Sequence, residues 1–176
     1  MSVIGAIWGI GGIVLVLAVA AYRLAGRTVQ IFSYDLEWYH WAALVISGVL
    51  AAYAEGYRGF QKRFSPRTAA RARYLRDHPT PLRIAAAPLF CFGYFQATRR
   101  RKIGAWGLTI GIVLVVGLVR LLPQPWRGIV DAGVVVGLTW GTISLVVFSI
   151  QALTAPTFAV SPEVVEAGVE ADAAQA

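Results

Sequence analysis

The sequence predicts an all-α membrane protein: a polytopic helical bundle of four transmembrane helices, with a short re-entrant or interfacial helical element in a basic cytoplasmic loop. Three observations carry that prediction. Of 176 residues, 57% are hydrophobic and 14% charged, whereas a soluble domain needs nearer ~25% charged residues. Apolar runs of bilayer length recur along the chain. The cations are gathered into one block between such runs.

A spanning helix needs about 20 apolar residues, because the hydrocarbon core is ~30 Å thick and each helical residue rises ~1.5 Å. Residues 3–24, 105–122 and 129–153 meet this with no charge across their middles. Residues 36–57 have the length but carry Glu37, His40 and Glu55, which leaves 41–54 as the apolar stretch. Trp38, Tyr39 and Trp41 at one end, and Tyr53 and Tyr57 at the other, suit the two interfaces of a bilayer. No cation precedes Arg23, so the first run lacks the basic start of a secretory leader and reads as a retained span.

The segment 58–104 holds Arg58, Lys62, Arg63, Arg67, Arg71, Arg73, Arg76, Arg83, Arg99, Arg100, Arg101 and Lys102. The other two connections hold only Arg23 and Arg27, and Arg120 and Arg127. Loops rich in Lys and Arg stay cytoplasmic. The expectation is therefore a multi-pass protein of a bacterial inner membrane, with both termini in the cytoplasm.

Within that loop, residues 84–97 are apolar but short for a span, and Pro88 interrupts them. A crossing there would also put the flanking arginines on opposite sides. Hence the re-entrant or interfacial reading, with burial against the bundle because its apolar residues surround the helix. Ser65-Pro66 and Thr80-Pro81 each read as an N-cap followed by proline at the first helical position. A cationic helix over 67–78 is expected between them, closed by Pro79. Pro123 and Pro125 stiffen the turn joining the last two spans into a hairpin. Residues 1–156 form one membrane-embedded domain in this reading. Residues 157–176, with Glu163, Glu166, Glu170 and Asp172, form an acidic flexible tail.

Gly133, Gly137 and Gly141 recur every fourth residue on the last span, and Gly107 with Gly111 and Gly5 with Gly9 repeat the spacing. Such faces let another backbone approach closely, either within the chain or between copies.

The pattern of polar residues excludes more than it names. There is no nucleophile elbow, phosphate-binding glycine loop or paired-cysteine motif, and no enzyme activity is expected. The single cysteine, Cys91, excludes an internal disulfide. Glu37 and His40 form one Glu-x-x-His step, whereas carboxylate metal bundles need two and more glutamates, so neither metal nor cofactor is expected. Nucleic acid is not expected either, since the charge lies between apolar spans.

His40, Leu44, Ser47, Ala51, Glu55 and Arg58 share one face of the second span. Glu55 there is either a titrating group inside the membrane or the ion-pair partner of Arg58. Asp131 is expected to pair with Arg127 near the start of the last span. The function expected is non-enzymatic: binding of anionic lipid headgroups or a partner protein, in assembly, scaffolding or regulation. Glu55, Arg58, Lys62, Arg63, Arg67, Arg71 and Arg73 are the candidate binding residues. The alternative is a small oligomeric transporter or channel using the His40–Glu55 face.

Overall fold

A computed structural model of the chain describes residues 2–164, and these are helical almost throughout. The elements are α1 (Ser2–Val29), a single 3₁₀ turn (Gln30–Ser33), α2 (Trp38–Ala51), a π-helical segment (Ala52–Phe64), α3 (Ser65–Asp77), α4 (Pro81–Ala85), α5 (Ala87–Phe92), α6 (Arg99–Val119) and α7 (Trp126–Thr154). Three stretches are long and apolar enough to cross a membrane: Val3–Ser33, Arg99–Val119 and Trp126–Thr154.

The expected second span departs from this pattern. Its α-helical part, α2, has 14 residues, which reach ~21 Å and fall short of the ~30 Å core. The chain does not leave the helix there. It widens into hydrogen bonds spanning five residues, the last from Ser65 N–H to Phe60 O, and runs directly into α3. Ser65 is therefore helical rather than an N-cap (φ −61°, ψ −46°). The expected start signal at Ser65-Pro66 fails because a proline also fits where a wider turn has already given up the ordinary ladder. The signal at Thr80-Pro81 holds: Thr80 Oγ1 accepts from Arg83 N–H at 3.4 Å, and Pro81 opens α4.

The residues fall into two contact units, one of Met1–Ile13, Pro66–Gly111 and Phe148–Ala176, the other of Val14–Ser65 and Ile112–Val147. In the first unit the apolar element 84–97 is two short helices, broken at Ala86 and stopped by Gly93 in the left-handed conformation (φ 101°). Gly5, Gly9 and Gly12 of α1 face it. A Cβ on Gly9 would lie 2.8 Å from Cys91 Sγ and 3.2 Å from Ala87 O, and one on Gly12 would lie 2.7 Å from Pro88. Beside this contact α3 is buried through Ala69, Ala70, Ala72 and Leu75.

In the second unit the glycine triple of α7 receives α2 and the π segment. Gly133 meets Ser47, Gly137 meets Glu55 and Ala51, and Gly141 meets the Phe60 ring. Ser47 Oγ donates to Ile129 O at 3.1 Å, and Trp140 Nε1 donates to Gln61 Oε1 at 2.8 Å. The triple thus packs within the chain. The glycines of α6 do not: Gly107 and Gly111 have nothing within 4 Å of where a Cβ would stand.

Candidate functional site

The cations of 58–104 divide by direction. In the first unit Arg71 is 1% exposed, yet no carboxylate pairs with it among the described residues. Its guanidinium meets main-chain carbonyls instead. Nε donates to Phe90 O at 2.6 Å, Nη2 to Phe95 O at 2.9 Å and Gln96 O at 3.2 Å, and Nη1 to Pro162 O at 3.1 Å and Glu163 O at 3.4 Å. The carbonyls of Phe95, Gln96 and Pro162 lie outside regular helix, after α5 and beyond α7, where no helical ladder serves them, whereas Phe90 O also accepts from Gly93 N–H and Glu163 O from Thr98 N–H. The planar fork of five donors matches that scattered set. The Phe90 ring lies beneath the guanidinium, 4.2 Å from its carbon. Burial, with Arg101 and Arg83 nearby, presses Arg71 down to about 10, well above neutral pH, so the group stays charged.

Arg73 and Arg76 close the C-terminus of α7. Arg73 donates to the carbonyls of Ala152, Ala155 and Pro156, and Arg76 Nη1 donates to Leu153 O at 2.7 Å. Cations at a helix C-terminus satisfy its unpaired carbonyls and complement its dipole. Arg83 bonds Gln96 Oε1 at 2.6 Å and His78 O at 3.1 Å, with Tyr74 and Phe90 nearby.

This arrangement bears on two expectations. Arg71 and Arg73 are turned inward, so they present no free guanidinium to a headgroup. Residues 157–164 are not a loose tail, since Arg71 holds Pro162 and Glu163 while Ala97 bridges Val164. Residues 165–176, with Glu166, Glu170 and Asp172, lie outside the described residues.

Other cations point outward. In the second unit Arg58, Lys62 and Arg63 are exposed. Lys62 lies over the Tyr57 ring at 4.6 Å, while Arg58 and Arg63 make no side-chain hydrogen bond or ion pair among the described residues. In the first unit Arg67 and Arg100 are likewise exposed, and neither guanidinium has a partner among the described residues.

The face of α2 is occupied rather than open. His40 is buried against Trp126, with ring centroids 5.2 Å apart, and its Nδ1 accepts from Glu37 N–H at 3.2 Å. Glu37 and His40 therefore close the start of α2, and no group of metal-ligating residues occurs among the described residues. Glu55 sits against Gly137 and forms no ion pair with Arg58 within 4 Å. Asp131, expected beside Arg127, is buried with Oδ2 unbonded, six residues into α7.

Sequence reasoning missed the inward turn of Arg71, Arg73 and Arg83. A signal was present: Ala69, Ala70 and Ala72 surround Arg71, and a run of small residues marks close packing more than a solvated face. No family model, curated protein or solved structure matches the chain.

Proposed function

We propose that the chain is a four-span, non-enzymatic protein of a bacterial inner membrane that binds anionic lipid headgroups or a partner protein and serves assembly, scaffolding or regulation. The observation that carries this reading is the division of its cations. Four arginines are committed to carbonyls or to Gln96, while Arg58, Lys62, Arg63 and Arg67 stay exposed after the fold is complete. Guanidiniums left free beside apolar helices suit phosphate headgroups. Four spans draw on the bilayer length of residues 36–57 and on the helix that runs on from Trp38 to Asp77, beside the three long apolar helices. Both termini then share the side of the basic segment, which positive-inside bias makes cytoplasmic.

Native mass spectrometry of the protein extracted from its own membrane tests this. The reading predicts retained anionic lipid, or a second polypeptide. A bare homo-oligomer with neither contradicts it and favours the transporter or channel reading. That second reading draws on Glu55, a carboxylate without an ion pair among the described residues. Against it, Gly133 and Gly137 of α7 fill the face that would form a path.

A further inference from the structure

One cavity in the first unit gathers guanidiniums that the fold leaves wholly or partly unbonded among the described residues. It measures about 400 Å³ and is lined by Arg67, Thr98, Arg100, Arg101, Gly104 and Glu163, a size within the range of small-ligand sites. Arg67 comes from the first turn of α3, and Arg100 and Arg101 come from the first turn of α6. Arg101 is held in place from behind. Its Nη2 donates to Phe92 O at 3.3 Å, and Gly93 leaves room for it, since a Cβ there would lie 2.8 Å from Arg101 Nε. Its Nη1 has no bond among the described residues, nor have the guanidiniums of Arg67 and Arg100. Arg67 and Arg101 are close enough to repel each other, with Glu163 as the nearby counter-charge. Three guanidiniums against one carboxylate leave two positive charges facing the cavity.

We propose that this cavity binds a phosphate group carrying two negative charges, that is, a phosphomonoester. Such a group carries about −1.5 to −2 at neutral pH, which balances the excess. Its oxygens can take bidentate bonds from guanidinium forks, and the positive N-terminal end of the 21-residue α6 favours the same charge. Gly104, with nothing within 4 Å of its Cβ position, keeps the cavity wall open. The phosphomonoester is that of a lipid headgroup or of a soluble ester; in its lipid form the proposal rests on the anionic-lipid reading above.

The test uses the full chain in phosphatidylcholine nanodiscs, with binding followed by native mass spectrometry. The probes are phosphatidic acid, phosphatidylglycerol and glycerol 3-phosphate. One phosphatidic acid per chain is expected, held about tenfold or more tighter than phosphatidylglycerol. Arg67→Gln, which removes an exposed and unbonded side chain, and Gly104→Leu, which fills open space, should each weaken it about tenfold. Neither disturbs a contact of the fold, and Arg63→Gln should leave this affinity unchanged. Displacement by glycerol 3-phosphate assigns the site to soluble esters, and retention of the lipid against it assigns the site to lipid. Glycerol 3-phosphate bound alone, and lost in Arg67→Gln, would keep the site while removing the lipid reading. Equal binding of both anionic lipids, indifferent to the two substitutions, overturns the site and leaves that reading standing. No preference for either anionic lipid over phosphatidylcholine, with no soluble ester bound, overturns both.

Discussion

The two contact units both pack helices across glycines, but they differ in their use of arginine. The second is closed by absence: Gly133, Gly137 and Gly141 remove side chains so that Ser47, Glu55 and Phe60 can seat against α7. The first adds an excess to its own glycine contacts: Arg71, Arg73 and Arg76 reach carbonyls outside the helical ladder, among them those of Phe95, Gln96, Ala155 and Leu153. The difference follows from backbone regularity. Continuous helices satisfy their own polar groups and need only shape to pack. Short broken helices such as α4 and α5, and the extended residues after α7, leave carbonyls that must be paired once buried.

The largest effect should come from the first unit. Arg71→Lys replaces a five-donor fork by a three-donor point charge, and several buried carbonyls lose their partner at ~1–3 kcal/mol each. A loss of about 3 kcal/mol or more is expected in detergent unfolding. Wild-type stability in Arg71→Lys would remove the contrast between the units.

Next is Arg73→Gln, which gives up the carbonyls of Ala152, Ala155 and Pro156. It should cost about 1–2 kcal/mol and speed amide hydrogen exchange at the end of α7, leaving α2 protected. Fraying that spread to α2 would show that the capping arginine supports more than its own unit.

The smallest effect sharpens the comparison through one substitution made twice. A Cβ at Gly133 would lie 2.9 Å from Ser47 O, which is backbone and cannot swing aside. Gly133→Ala should therefore destabilise by about 1 kcal/mol. Gly111→Ala on α6 meets nothing within 4 Å and should gain about 0.5–1 kcal/mol from helix propensity. Equal outcomes at the two positions would mean that glycine spacing, rather than what faces it, sets the effect.

This contrast also explains what could be read in advance. Glycine spacing and apolar length are local and periodic, so the packing face of α7 and three bilayer-length helices are visible in the residues themselves. The direction of an arginine is not local. Arg63 and Arg71 lie eight residues apart in similar company, and one is exposed while the other is buried because carbonyls from α5 and from beyond α7 converge on Arg71 alone. The course of the chain after the second apolar run is hidden for a related reason. Its helix continues through a π-helical stretch past Pro66, and no residue pattern marks a change of hydrogen-bond register. The cavity of Arg67, Arg100 and Arg101 joins residues from distant parts of the chain, so only the fold brings them together.

The most direct test of the divided cations is lipid selectivity, read by quenching of tryptophan fluorescence with brominated phosphatidylglycerol against brominated phosphatidylcholine. The account predicts that wild type prefers phosphatidylglycerol, and that the combined substitution Arg58→Gln, Lys62→Gln and Arg63→Gln abolishes the preference while thermal stability stays within about 0.5 kcal/mol of wild type. A preference that survives this substitution, or wild type that shows none, would contradict it.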